Sequence, residues 1–304
     1  MVERRLHADS GLTARMGFVL FMLTATYLAF LAFLAAAGVG FFSLLFMAAI
    51  MLGVQYFFSD KLVLMSAGAR EVGPEEAPEL HARIERLAAQ MDLPMPKIAL
   101  METDIPNAFA TGRSAGNSVV AVTTGLMRRL DGPELDGVLA HELSHIAHRD
   151  VMVMTIASFF STVAFFLARW LLWGSMFGVG DRRDRDNSGQ IMMLVWLVSI
   201  VVGIISMFLL RALSRYRELA ADRGSALTTG APSTLASALQ KISGAVARIP
   251  QQDLRQVQGA SAFFIIPVMS GEFWANLIST HPTMEERLAQ LEQIQAEMEG
   301  SSGL

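Results

Sequence analysis

Two uncharged runs follow one another near the start of the chain, Met16 to Ala37 with 22 residues and Val39 to Phe58 with 20. Wound as helices at about 1.5 Å rise per residue, each covers roughly 30 Å, the hydrocarbon thickness of a bilayer. Both read as transmembrane helices, and Gly38 and Gly40 leave so short a connection that the pair forms an antiparallel hairpin. A cleaved signal peptide is the competing reading, because Arg4, Arg5 and Arg15 precede the first run and Ala35-Ala36-Ala37 offers small residues for a cleavage site. A signal core is only about 7–15 residues long, and here a second run follows at once, so both runs are read as retained spans.

Composition agrees with a membrane protein: 53% of the 304 residues are hydrophobic and 17% charged, against about 25% charged in soluble domains. Two more apolar runs lie past the middle, Val151 to Ala168 with 18 residues and Ile191 to Leu210 with 20. They are read as a second pair of spans, with Arg169 snorkelling to an interface where Trp170 and Trp173 form a belt; the alternative is that both are buried core helices or dip only part way into the bilayer. The net charge of −4 gives no surplus to hold a phosphate backbone, so nucleic-acid binding is excluded. The absence of cysteine removes disulfides, thiolate catalysis and Cys-ligated metals, leaving His, Asp and Glu as ligands.

The chain therefore divides into an N-terminal segment 1–15, a hairpin 16–58, a catalytic part 59–150, a second hairpin 151–210, a second catalytic part 211–299 and a flexible tail 300–304. Within 59–150, Leu80, Ile84, Leu87 and Met91 recur at helical spacing over Pro74 to Asp92. Lys97–Glu102, Asn107–Gly112 and Ser118–Thr124 read as strands, with Arg113-Ser114-Ala115-Gly116-Asn117 as turn chemistry, giving a small antiparallel sheet. Pro133 to Arg149 reads as a helix running unbroken into the third apolar run. Arg211–Leu227, Ser233–Val246 and Glu285–Met298 read as further helices. The fold class is a mainly α membrane protein of four transmembrane helices with a zincin-like α+β catalytic domain.

The chemistry is carried by His141-Glu142-Leu143-Ser144-His145. On a helix the two histidines lie one turn apart on one face, so both imidazoles reach a single Zn²⁺ while Glu142 flanks it as general base. His148 shares the stripe, but seven residues from His141 is a rise of about 10 Å, too far for both to bind one ion. A catalytic zinc needs a third protein ligand. Glu218 and Asp222, one turn apart, supply the candidates, one carboxylate binding zinc and the other accepting the outward N–H of a ligating histidine. His281, held by Pro282, is the candidate donor to a tetrahedral oxyanion; otherwise His281-Pro282-Thr283 is a helix-initiating turn. Asn107 to Gly112 follows Pro106 and presents little bulk at Ala108, Ala110 and Gly112, as expected of a sheet edge that takes an extended peptide.

These motifs together resemble the HtpX-type membrane zinc endopeptidases, gluzincins whose relatives include the CAAX prenyl proteases. The resemblance is carried by the N-terminal hairpin, Asn107-Ala108-Phe109-Ala110 with Gly112, the HELSH pentad, the apolar pair, Glu218 with Asp222, and Thr280-His281-Pro282-Thr283 with Arg287. It implies one zinc per chain held by His141, His145 and Glu218, with Glu142 as the base, Asp222 and Arg287 supporting the ligands, and Asn107, Ala108, Phe109 and Ala110 binding substrate backbone. It also implies an ATP-independent protease of the prokaryotic cytoplasmic membrane that degrades misfolded membrane proteins and unfolded polypeptides under stress, embedded in the lipid bilayer, and leaves room for association with other membrane quality-control proteases. Positive charge before the first span places both termini and the active site in the cytoplasm.

Two other functions fit parts of the pattern. A site-2-type intramembrane protease also carries the histidine pentad, and Leu130-Asp131-Gly132 and Leu135-Asp136-Gly137 imitate its signature, but here they precede the pentad. Arg128, Arg129, Arg149 and Asp150 place the pentad at a water interface instead of in the bilayer. A catalytically inactive scaffold would have lost one of Glu142, His145 or Glu218, and all are present.

Overall fold

The computed structural model describes residues 10–37, 46, 49–50, 53, 63–176, 188–248 and 281–300. They belong to two units, Met1–Tyr56 with Val153–Leu213, and Phe57–Met152 with Ser214–Leu304.

The first unit is helical. It contains α1 (Ser10–Ala36), most of α5 (Asp150–Met176) and the first part of α6 (Ser188–Thr229). Ser10–Ala36, Asp150–Arg169 and Gly189–Thr229 are each long and apolar enough to cross a membrane. Its core joins Phe30 and Leu34 of α1, Ala164 and Leu167 of α5, and Val195 and Val202 of α6. Gly203 permits a close approach, because a Cβ there would lie 2.8 Å from the Phe165 ring. Most of Val39–Phe58, the expected second span, lies outside the described residues, as do the Asp181–Asp186 stretch and residues 301–304 of the tail.

The second unit is built on a four-stranded sheet of β1 (Arg70–Glu71), β2 (Lys97–Met101), β3 (Ala108–Ser114) and β4 (Asn117–Thr123) in the order β1-β2-β4-β3. The sheet is mixed where a wholly antiparallel one was expected: β2 and β4 run parallel, with Ile98 opposite Val120, and β3 pairs antiparallel with β4, with Ala110 opposite Val120. Apolar content explains the order. β4 is buried from Ser118 to Thr123 and takes the centre, where both of its edges are paired. The smaller, more polar β3 is left on the outside. A bulge between Gly112 and Ser114 interrupts the β3–β4 ladder, which resumes at Ser114 opposite Asn117, and Gly112 has φ 135, with its missing Cβ taken up by the backbone of Asn117 and Ser118. One face packs Ala99, Met101, Phe109, Val119 and Ala121 against Val63 and Leu64.

Helix α4 (Gly132–Ala147) and the short α3 (Thr124–Arg129) pack on the sheet, α2 (Pro78–Gln90) and α7 (Pro232–Val246) pack on α4, and α8 (Met284–Gly300) packs on α7. Leu80, Ile84 and Leu87 form the inward stripe of α2, at the periodicity the sequence predicts. The start of α4 is fixed by a reciprocal cap: Glu134 N–H donates to Asp131, whose own N–H donates to the Glu134 carboxylate, and Pro133 occupies the first turn. From Glu134 to Ile146 this helix is buried on nearly every side except at Asp136 and His145.

The expected continuous helix from Pro133 through the third apolar run is broken. α4 ends at Ala147, Arg149 adopts φ 55, and α5 starts at Asp150. A non-glycine residue there is costly, and the turn swings the Asp150 carboxylate back onto His145. The converse holds for the fourth run: its apolar residues and Arg211–Leu227 form one unbroken 42-residue helix, α6.

Candidate metal centre

Three elements converge on the site. α4 supplies His141, Glu142 and His145, the last part of α6 supplies Glu218 and Asp222, and His281 and Arg287 flank the start of α8. α4 and α6 meet through small residues: a Cβ on Gly224 would lie 2.4 Å from Ser144 Oγ, and Ser144 is wholly buried. At the next residue, Ser225 Oγ donates to the Gly137 carbonyl at 2.6 Å. Thr283 caps α8 by exchanging hydrogen bonds with Glu286, which sets Arg287 one turn inside the helix. The helix-initiating turn read at His281-Pro282-Thr283 is thus present, and His281 stands immediately before it.

His141, His145 and Glu218 each bring one ligand atom within 4.8 Å of the others. The two Nε2 atoms are 3.2 Å apart, and Glu218 carboxylate oxygens lie 3.7 Å from His141 Nε2 and 3.5 Å from His145 Nε2. The opposite ring nitrogens face carboxylates: His141 Nδ1 is 2.9 Å from Asp222 Oδ1 and His145 Nδ1 is 2.6 Å from Asp150 Oδ2. A carboxylate accepts and does not donate, so each Nδ1 carries the proton and each Nε2 is left with its lone pair. Two lone pairs facing each other beside a buried carboxylate repel unless a cation lies among them. The donor set, two imidazoles and one carboxylate, fits a divalent ion of the zinc type.

The supporting shell is charged and nearly dry. Arg287, 2% exposed, grips Asp222 with two parallel bonds, Nε to Oδ2 at 2.8 Å and Nη2 to Oδ1 at 2.6 Å, and its Nη1 is 3.8 Å from Glu218. Burial pushes the Asp222 carboxyl up, and Arg287 and His141 more than reverse it, so its pKa lies below the ordinary range. Burial also opposes ionising Glu218, but His281, whose Nδ1 is 3.1 Å away, and His141 hold its pKa well below the usual value. Burial lowers the His141 pKa, and Asp222 and Glu218 carry it back up to about 9. The negative charge that would hold a proton there is what attracts a metal cation. Burial and the neighbouring His141 depress His145.

Glu142, 4% exposed, accepts from the Ala110 backbone N–H, and burial raises its pKa. In a β-strand the N–H and C=O of one residue point to the same side, so Ala108, Ala110 and Gly112 present their backbone groups to the outer edge of β3. Asn107 is buried and holds the start of β3, its N–H donating to Thr123 Oγ1 at 2.9 Å. Phe109 points into the core below the sheet.

Asp150 and Arg217 escaped the sequence reading. Asp150, buried at the first residue of α5, bridges His145 and the Arg217 guanidinium, which also donates to the His148 carbonyl at 3.0 Å. A count of acceptors could have found the first: two ligating histidines each need a partner for Nδ1, and Asp222 serves only one. The His148 side chain is exposed and stands outside the ligand cluster.

The chain is similar to known proteins. Residues 74–295 match Peptidase family M48. A protease HtpX homolog from Moorella thermoacetica is 58% identical over 299 residues, 98% of this chain and 99% of that one. A protease HtpX homolog 2 from Methanosarcina acetivorans is 55% identical, covering 98% of this chain and all of that one. Among solved structures, the crystal structure of S. mikatae Ste24p superposes with a TM-score of 0.54 at 18% identity, covering 91% of this chain and 62% of that one.

Proposed function

The chain belongs to peptidase family M48 and is a membrane metalloprotease, and we propose that it is a zinc-dependent endopeptidase of the cytoplasmic membrane that hydrolyses misfolded membrane proteins and unfolded polypeptides. The observation that carries the reading is the convergence of His141 Nε2, His145 Nε2 and a Glu218 oxygen within 4.8 Å, beside a buried Glu142 that is not among them. Such a set gives three protein ligands, an open position and a separate base.

Zinc held there supplies Lewis acidity toward the scissile carbonyl and acidifies a water. Glu142 takes the proton of that water and later returns it to the leaving amine, so no covalent intermediate is required. Asp222 and Asp150 fix the tautomers of His141 and His145, and Arg287 keeps Asp222 ionised and in place. His281 would donate to the developing oxyanion; its contact with Glu218 supports a second role, orienting that carboxylate. Substrate backbone adds to β3 along Asn107, Ala108, Phe109 and Ala110. The names of the HtpX relatives support the protease reading, and the three long apolar helices support the membrane setting.

Glu142→Gln should lower cleavage of casein by about 10²–10⁴-fold while zinc content stays that of wild type, because the base is lost and the ligands remain. A purified Glu142→Gln protein that cleaves as wild type does would remove Glu142 from the mechanism.

A further inference from the structure

A shallow, half-open groove beside His145 is lined by β3 and by the start of α5. One wall is Ala110, Gly112 and Arg113; the other is the junction of α4 and α5, with His145, Arg149 and Met152. Its charge is one-sided. The acidic group in its lining is Asp150, which is occupied by His145 and Arg217. Arg113, which has a partner of its own, and Arg149 supply the guanidinium groups of the lining, and no described carboxylate pairs with Arg149.

Arg149 also sits in an unusual backbone state. Its φ of 55 separates the ligand helix from the first turn of α5, and its N–H is tied back to the Ile146 carbonyl at 3.1 Å. Glycine or asparagine meets that conformation at lower cost, so an arginine there is not explained by the turn. Arg149 nevertheless lines the groove beside β3.

A peptide added antiparallel to β3, the more stable pairing per residue, places its reacting carbonyl near Ala110 and Glu142. Its preceding residues then lie opposite Gly112 and Arg113, inside the groove. We infer that this groove is the subsite for the residues on the N-terminal side of the scissile bond, and that Arg149 makes it prefer an acidic side chain within the last three of them. The inference rests on the endopeptidase reading and adds a substrate class to it. Main-chain pairing with β3 supplies affinity for any sequence, and Arg149 supplies the discrimination.

The test uses the full-length, zinc-loaded protein in detergent and a set of peptides with one cleavage site and Glu, Gln or Lys at each of the three preceding positions. Wild type should prefer Glu over Lys in kcat/KM by about threefold to tenfold at one of them, with Gln between, and high salt should compress the ratio. Arg149→Asn, whose side chain tolerates the left-handed backbone, should bring the ratio close to one, Arg149→Asp should invert it, and Arg149→Lys should restore it. Zinc content identifies variants that fold. Cleavage without any charge preference, a preference confined to the C-terminal side, or a preference that survives in Arg149→Asn would overturn this inference and leave the endopeptidase reading standing. A zinc-loaded wild type that cleaves none of the peptides, nor casein, would overturn both.

Discussion

Both units of this chain bury polar side chains, and they satisfy them in opposite ways. In the helical unit the buried hydroxyls are few, and Ser199 donates to the carbonyl four residues earlier in its own helix, at 2.7 Å from Val195 O. Tyr27 is the exception, donating across to Ala157 O at 2.7 Å. Its outer surface is apolar, with Phe18, Phe21 and Met193 all above 60% exposed, as suits lipid. In the catalytic unit many of the buried groups are charged, and they are satisfied from one element to another: Arg287 by Asp222, Asp222 by His141, His145 by Asp150, Asp150 by Arg217. Local satisfaction makes a site independent of its surroundings, whereas this chain of charges links α4, α5, α6 and α8 so that losing one member strands the next.

The contrast can be broken by substitution. The largest effect is expected at Arg287→Met, which leaves the Asp222 carboxylate buried without its guanidinium; about 3–5 kcal/mol should be lost, read as a lower unfolding midpoint in detergent together with reduced zinc. A midpoint unchanged from wild type would mean that the charges are independent. Asp150→Asn should follow, weakening zinc about 10- to 100-fold by withdrawing the acceptor at His145, in a competition titration against a chromogenic chelator. Wild-type affinity in that variant would cut Asp150 out of the network. Gly224→Ala pushes a methyl into Ser144 and should cost about 1–3 kcal/mol, partly recovered by adding Ser144→Gly; an unshifted midpoint would show that the helix contact has room. Ser199→Ala sharpens the comparison from the other side. It should change the midpoint by no more than about 1 kcal/mol equivalent and leave zinc untouched, whereas zinc loss there would tie the helical unit to the metal.

Much of this was legible in the sequence because it is local. Apolar length announced three of the described helices, the inward stripe of α2 announced itself at Leu80, Ile84 and Leu87, and the spacing within HELSH announced a one-turn pair of imidazoles. What was missed is long-range or depends on a single dihedral angle. Nothing in residues 97–123 says that β4 lies between β2 and β3, because that choice is made by which strand can bury both faces. Nothing around Arg149 breaks a helix by propensity, so the turn that separates α4 from α5 could not be read. Asp150 looked like a charge marking the edge of the membrane until the turn brought it to 2.6 Å from His145.

The account rests on Glu218 completing the metal site from a helix 73 residues beyond His145. Metal analysis of purified wild type and Glu218→Ala, each dialysed against a mild chelator, tests this most directly. One zinc per wild-type chain and a clear deficit in Glu218→Ala is the predicted result. Equal, full occupancy in both proteins, or a wild type that retains no zinc, would contradict it.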